Sequence, residues 1–340
     1  MVIACTDYPR RVVEDIARLR RRIEASGLPG KLTDRNLIVG TWNIRAFGEV
    51  FGAWEENAGS PKRNLRAMAS IAEVASRFDV LAVQEVKRET TALRMLLEDF
   101  LGPDWGVFIS DVTAGSAGNT ERLAYIFDRR RVQPSGLAGE LVLPPEGGMT
   151  DPARQFARTP YIAGFRAGGQ RFALLTAHID YGEVDADRLA ELQALASYTA
   201  VEIRDRARTV EAEESNLIVL GDFNIDKRGD NPLFQAFIST GLFVPPQLWG
   251  LKSTFATDPK YYDQIAWFQG DLNLAFTGRA GVVDFVGAVF KEMTARSMSY
   301  RVSDHFPLWV EFAIDRSAEQ MAPTVGADPA MPDPLSVVPD

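Results

Sequence analysis

Residues 217–225 read LIVLGDFNI and residues 37–44 read LIVGTWNI. Each opens on a continuous aliphatic run, the pattern of a strand buried on both faces, and each ends in aromatic–Asn–Ile. The echo implies two similar layers, each delivering an asparagine, Asn224 or Asn43, from a strand end. Working outward, short apolar runs recur at 79–85 (DVLAVQE), 123–127 (LAYIF), 172–178 (FALLTAH), 263–268 (DQIAWF) and 305–312 (HFPLWVEF). Helical spacing of apolar residues lies between them at about 63–77, 90–100 and 185–206. Strands alternating with helices predict an α/β layered fold.

The polar residues of these runs are not scattered. An unpaired buried polar group costs about 1–3 kcal/mol, yet Asn43, Glu85, His178, Asp222 and Asn224 sit at or just past strand C-termini. Glu121, Asp263, Asp304 and His305 sit at or just before strand starts. In a mixed sheet the start of an antiparallel strand shares a rim with the end of its neighbour, and α/β sheets bind ligands at such rims. The chain has two histidines, His178 and His305, and both belong to this set.

Residue chemistry narrows the possibilities. Glu85, Asp222 and Asp304 are hard oxygen donors. With no cysteine cluster and no His-x-x-x-His, zinc is disfavoured, whereas carboxylates with an amide suit Mg²⁺, Mn²⁺ or Ca²⁺. A histidine paired to a carboxylate is poised as a general acid or base. Metal, base and amide donors together describe metal-assisted hydrolysis of a phosphate ester. The competing readings are plainer: Gly221-Asp222 as a turn pair, Arg158 and Lys87 as surface ion-pair partners, and Trp42 and Trp267 as core aromatics.

Composition sets the bounds. The 340 residues are 46% hydrophobic and 24% charged, with a net charge of −9, which fits a globular chain with a sizeable core. A protein that binds nucleic acid chiefly by neutralising phosphates is basic. Here any phosphate contact must come from a few placed groups or a metal. The single cysteine, Cys5, cannot form an intrachain disulfide. No apolar run reaches a membrane span and no secretory signal is visible, so the expectation is a cytoplasmic protein. No protein partner is implied, and a monomer is expected. Residues 1–35 read as an N-terminal helical extension, with Val12, Ile16, Leu19 and Ile23 at helical spacing and Arg18, Arg20, Arg21 and Arg22 as a solvated face. Residues 36–313 form the body. Residues 314–340, rich in proline and acids, read as a disordered tail.

The segments WNIRAFGE (42–49), VQEVK (83–87), NTERLAYIF (119–127), FARTP (156–160), LLTAHID (174–180), GDFNID (221–226), STF (253–255), YDQI (262–265) and SDHFP (303–307) together resemble the endonuclease/exonuclease/phosphatase superfamily. The deoxyribonuclease I-like branch is the nearest in pattern, and the likeness spans about 42–312. The resemblance implies a four-layer α/β/β/α sandwich of two mixed β-sheets flanked by helices. It implies a divalent-metal-dependent phosphodiesterase, most simply a DNA endonuclease using water activated by a His–Asp pair, with Mg²⁺ or Mn²⁺ and Ca²⁺ as an accessory ion. By the same resemblance Glu85 and Asp304 are metal ligands, His305 pairs with Asp263 and His178 with Glu121. Asp222, Asn224 and Asn43 position nucleophile and phosphate, Lys87 and Arg158 contact phosphate, and the products carry 5′-phosphate and 3′-hydroxyl ends. An alternative within the fold is a lipid or small-molecule phosphoesterase of the inositol-phosphate or sphingomyelin type. The Gly-rich loop 113–120 lacks an aromatic where the nuclease branch tends to place groove-contacting groups, which tells against duplex DNA as the substrate. Arg45, where abasic-site enzymes carry an acid, disfavours that subclass.

Overall fold

A computed structural model of the chain describes residues 2–113, 120–142, 156–182, 185–205, 216–255, 258–272, 274–329, 331 and 333–339; most of the loop 113–120 lies outside them. Twelve strands are described: β1 (Asn36–Phe47), β2 (Val80–Lys87), β3 (Trp105–Ile109), β4 (Glu121–Asp128), β5 (Gln133–Glu140), β6 (Tyr161–Ala167), β7 (Gln170–His178), β8 (Leu217–Asp222), β9 (Leu242–Phe243), β10 (Asp263–Phe268), β11 (Ala275–Val282) and β12 (Leu308–Ala313). They form two six-stranded mixed sheets, ordered β11-β12-β1-β2-β4-β3 and β5-β6-β7-β8-β10-β9. Each sheet has one parallel pair near its centre, β1/β2 and β7/β8, with antiparallel neighbours. The expected layered sandwich is therefore the fold.

The continuous apolar runs follow from this geometry. Successive side chains of a strand face opposite sides, and both sides of the central strands are covered. Leu37 and Val39 of β1 join a core between the sheets that also runs over the outer face of the second sheet. Ile38, Trp42 and Ile44 join a second core beneath α1 (Arg10–Ala25) and α2 (Leu65–Ala75). Trp42 and Trp267 are both core residues. The strands with weak sequence signals are mainly edge or short ones. β5 alternates between exposed and half-buried positions, and β11 is largely uncovered.

Two terminal segments lie outside the sheets. The helix at the N-terminus is integral to the body: Val12, Leu19 and Ile23 are buried in the second core. The Arg20 guanidinium bonds both carboxylate oxygens of Glu73 on α2, at 3.0 and 2.9 Å. Buried Asp15 accepts from Arg66 Nε at 2.7 Å. Residues 314–340, expected to be disordered, carry helical turns at Ser317–Met321, Ala322–Val325 and Pro334–Val337, with Ala322 fully buried. Pro323 and Pro334 sit in first turns, where a missing N–H costs no helix bond, so proline content did not forbid structure. No helix among the described residues is long and apolar enough to cross a membrane.

Gly221 shows how tightly the site-bearing strands approach. Its backbone lies at φ +151°, and a Cβ there would meet the Ala177 carbonyl oxygen at 2.1 Å, across the β7/β8 pair. Gly221→Ala is expected to lower stability by about 1–3 kcal/mol, as overpacking does. Gly250→Ala, where a Cβ would meet nothing within 4 Å, should stay within about 0.5 kcal/mol of the parent. Urea unfolding followed by tryptophan fluorescence tests both; equal midpoints for the two variants would refute the packing account.

Candidate active site

Because β4 and β12 run antiparallel to β2 and β1, their starts share a rim with the ends of β1 and β2. In the second sheet the ends of β7 and β8 meet the start of β10. The two rims face each other, and the polar residues of one sheet bond those of the other. Asn43 Nδ2 at β1 donates to Asp222 Oδ2 at β8, 2.9 Å away, and to Glu85 Oε1 at 3.0 Å. His305, just before β12, shares a hydrogen bond between Nδ1 and Asp263 Oδ2 of β10, at 2.8 Å. His178 Nδ1 at the end of β7 lies 3.0 Å from Glu121 Oε2 at the start of β4. Behind them Gln84 Nε2 of β2 reaches Thr176 Oγ1 of β7 at 2.9 Å. Each His–carboxylate pair thus takes one member from each sheet.

Both imidazoles turn their other nitrogen to one atom. Asp222 Oδ2 lies 3.6 Å from His178 Nε2 and 3.8 Å from His305 Nε2. Burial alone would raise the Asp222 pKa, but His305 and His178, with bonds from Asn43 and the Asn224 N–H, hold it below the ordinary carboxylate value. Burial opposes a charge on His305 too, but Asp263 and Asp222 outweigh it and raise its pKa to about 10. For Glu121, burial is outweighed by His178, Arg158 and Lys87, and the carboxyl is held down at about 2. Lys87 Nζ is 2.8 Å and Arg158 Nε 2.7 Å from Glu121, so both basic residues reach the site through that carboxylate. Arg158 also reaches Asp180 at 3.4 Å.

Local backbone distortions aim these groups. Ala46, Glu85, Thr120 and Asn224 hold left-handed backbone at φ 44°, 61°, 55° and 50°, a conformation that costs a non-glycine residue energy and clusters at functional sites. At Glu85 the β2 register shifts against both β1 and β4. Such a bulge re-aims a side chain that strict alternation would send elsewhere. Glu85 Oε2 accepts from the Ala46 N–H at 2.8 Å. Asn224 is held by its own N–H to Asp222 Oδ1 at 3.0 Å and by Nδ2 to the Ile179 carbonyl at 2.7 Å.

The donors fit a hard divalent cation. Asn43 Oδ1 is buried without a hydrogen-bond partner among the described residues, while the Asn43 amide nitrogen holds Glu85 and Asp222 on either side. Asp222, Asp263 and His305 also bring one potential ligand atom each within 4.8 Å of one another. Asp304 is partly exposed and faces Arg45 Nη1 at 3.1 Å, so it would meet any ion in competition with a guanidinium.

Several supporting roles were not read from sequence. Ser303 Oγ donates to the Asn43 carbonyl at 2.6 Å and accepts from the His305 N–H at 3.0 Å. Ser253 Oγ accepts from the Asp263 N–H at 3.0 Å, and Trp42 Nε1 donates to the His305 carbonyl at 2.9 Å. The signal for the serines was their place in the STF and SDH segments. Arg45, read only as a departure from one subclass, stacks on Tyr300 with its guanidinium carbon 4.0 Å from the ring centre.

Comparison with known proteins shows the family. Residues 40–305 match the family described as Endonuclease/Exonuclease/phosphatase. A Thioalkalivibrio protein named Deoxyribonuclease is 32% identical over 291 residues, covering 82% of this chain and 71% of that protein. Among solved structures, an endonuclease/exonuclease/phosphatase family protein from Leptotrichia buccalis superposes with a TM-score of 0.51 at 18% identity, over 81% of this chain and 99% of that one. The human Nocturnin catalytic domain does so with 0.51 at 15%, over 83% and 95%. These two likenesses carry the fold, and the sequence matches carry the kinship: the chain belongs to the endonuclease/exonuclease/phosphatase family.

Proposed function

We propose that the protein is a divalent-metal-dependent hydrolase of phosphodiester bonds that acts on DNA as an endonuclease. The observation that supports it most is the convergence of two carboxylate-oriented imidazoles on Asp222 Oδ2, at 3.6 and 3.8 Å. Phosphodiester hydrolysis needs one proton taken from the attacking water and one given to the leaving oxygen, and two oriented imidazoles on one pocket suit those tasks. The family match supports a phosphoester hydrolase, and the relative named Deoxyribonuclease supports a nucleic acid over a small ester.

In this reading Glu85, Asn43 and Asp222 hold the ion, with Asp304 at its margin. A bound divalent cation supplies positive charge that offsets Asp222, polarises the phosphate and eases loss of a proton from water. With a cation bound beside Asp222, His305, fixed through Nδ1 by Asp263, would give up the proton that those carboxylates otherwise hold on it and would then take the water's proton at Nε2. His178, fixed through Nδ1 by Glu121, serves the leaving oxygen. Asn43 and Asn224 keep Asp222 in place. Lys87 and Arg158 keep Glu121 ionised and put positive charge beside the leaving side of the phosphate.

Circular single-stranded DNA, and supercoiled plasmid where torsion unpairs it, should be nicked with Mg²⁺ or Mn²⁺ and left intact with EDTA. Nicking in EDTA, or hydrolysis of phosphate monoesters or choline and inositol headgroups but not of DNA, would overturn the reading. His305→Ala should lower turnover about 10²–10⁴-fold, the size of a lost general base, and wild-type turnover would remove it from the mechanism. Glu121 tests the charge balance by pH. A carboxyl held down at about 2 stabilises the fold fully above its unfolded value of about 4.3, and that stabilisation fades as pH falls toward 2. The urea midpoint of the parent should therefore exceed that of Glu121→Gln most at pH 6–7 (roughly), with the gap closing in acid. A gap independent of pH would contradict this.

A further inference from the structure

Beside the catalytic rim, on the side of the second sheet, lies a groove of about 390 Å³ whose lining includes Lys227, Trp249, Lys252, Lys260 and Tyr261. It is continuous in sequence with the site: its loop 226–229 begins two residues after Asn224, and Tyr261 stands two residues before Asp263. Its lining carries four cations against two carboxylates, Asp226 and Asp258, in a chain whose net charge is −9. Lys260 is neutralised, at 3.3 Å from Asp226 and 2.7 Å from Asp258. Arg228 serves the groove's floor, donating to the Leu251 and Asp263 carbonyls at 3.0 and 3.1 Å and stacking on Tyr261. Lys227 and Lys252 are exposed, and no hydrogen bond or ion pair engages either among the described residues.

The aromatic groups point to the same ligand. Trp249 is 47% exposed although its Nε1 is fixed on the Val244 carbonyl and its ring rests edge-on against Phe234, so an anchored indole offers area to solvent. Between groove and catalytic centre, Tyr181 is 54% exposed and packs edge-on against Tyr262, whose ring centre is 6.0 Å from that of His305. Arg188 stacks on Tyr181 and pairs with Asp226 of the groove at 3.3 Å, which ties Tyr181 to the groove's lining. Uncommitted cations that track a backbone, interleaved with aromatic faces that accept any base, are the physical means of binding single-stranded nucleic acid. A duplex keeps its bases stacked on one another and has no unpaired face to offer these rings.

Resting on the phosphodiesterase reading above, we propose that the substrate is engaged as a single strand, which runs from the catalytic rim past Tyr181 and Tyr262 into the groove. There its phosphates meet Lys227 and Lys252 and an unpaired base stacks on Trp249. The strand is therefore selected over duplex by contacts outside the reacting centre.

The test is the affinity of the full-length protein for a fluorescein-labelled 15-nucleotide single strand and for the matching duplex, by anisotropy in EDTA, where no hydrolysis intrudes. The single strand should bind at least tenfold tighter than the duplex. The double variant Lys227→Ser/Lys252→Ser should weaken single-strand binding at least fivefold. It should also flatten the slope of log affinity against log salt by about 1.4, at ~0.7 per lost phosphate contact. Lys291→Ser, which removes an exposed lysine outside the groove, should bind as the parent does. Trp249→Ala should weaken binding by about fivefold or more, and the lysine variants decide the matter if that chain fails to fold. Equal binding of duplex and single strand, or equal effects of the groove and control lysines, overturns the strand path. If phosphodiesters are still cleaved, the catalytic reading stands without it. If single strand, duplex and bis(p-nitrophenyl) phosphate all resist hydrolysis with Mg²⁺ and Mn²⁺, both fall.

Discussion

The carboxylate of Asp222 is the group on which the rest of the site depends. It is buried between two sheets, and a buried charge stripped of its partners costs several kcal/mol. Its Oδ2 faces Asn43 at 2.9 Å, His178 at 3.6 Å and His305 at 3.8 Å, and its Oδ1 accepts the Asn224 N–H. Three of those partners come from strand ends, and His305 comes from the segment before β12. The charge is tolerable only when both sheets are assembled in register, so folding and site formation are one event. The site is not an accessory mounted on a finished sandwich but part of what closes its rim.

The cost of that closure is concentrated where the chemistry lies. Left-handed backbone at Ala46, Glu85, Thr120 and Asn224, the register break in β2 and the close approach of Gly221 to Ala177 all fall at this rim. Elsewhere the central strands are regular and apolar, and their burial stabilises the distorted end. Gln84 and Thr176 mark the transition, a hydrogen-bonded polar layer between the core and the site.

Charge is used locally rather than globally. The positive groups near the catalytic centre are tied to acids: Lys87 and Arg158 to Glu121, Arg45 to Asp304. That leaves a pocket whose electrostatics suit a cation, beside a groove whose uncommitted lysines suit a polyanion. A net charge of −9 averages over these local differences and describes none of them.

Much of this was legible in the residues alone. The continuous runs at 37–44 and 217–222 specify central strands, since only burial on both faces tolerates them. The placement of Asn43, Glu85, His178, Asp222 and His305 at strand ends implies a shared rim, because a strand interior would leave them unpaired. Edge strands such as β5 and β11 escaped notice, as half-exposed positions carry no continuous apolar signal, and the helical turns after residue 314 escaped because proline opens a helical turn as readily as it breaks one. Sequence by itself determined which residues are too polar for the core and too apolar for the surface, since that depends on side-chain chemistry. Only the tertiary structure decided that Asp304 turns to Arg45, that two imidazoles share one oxygen of Asp222, and that Lys227, Trp249 and Lys252 line one groove. Those are distances between segments far apart in the chain, and only the packing of one sheet on the other fixes them.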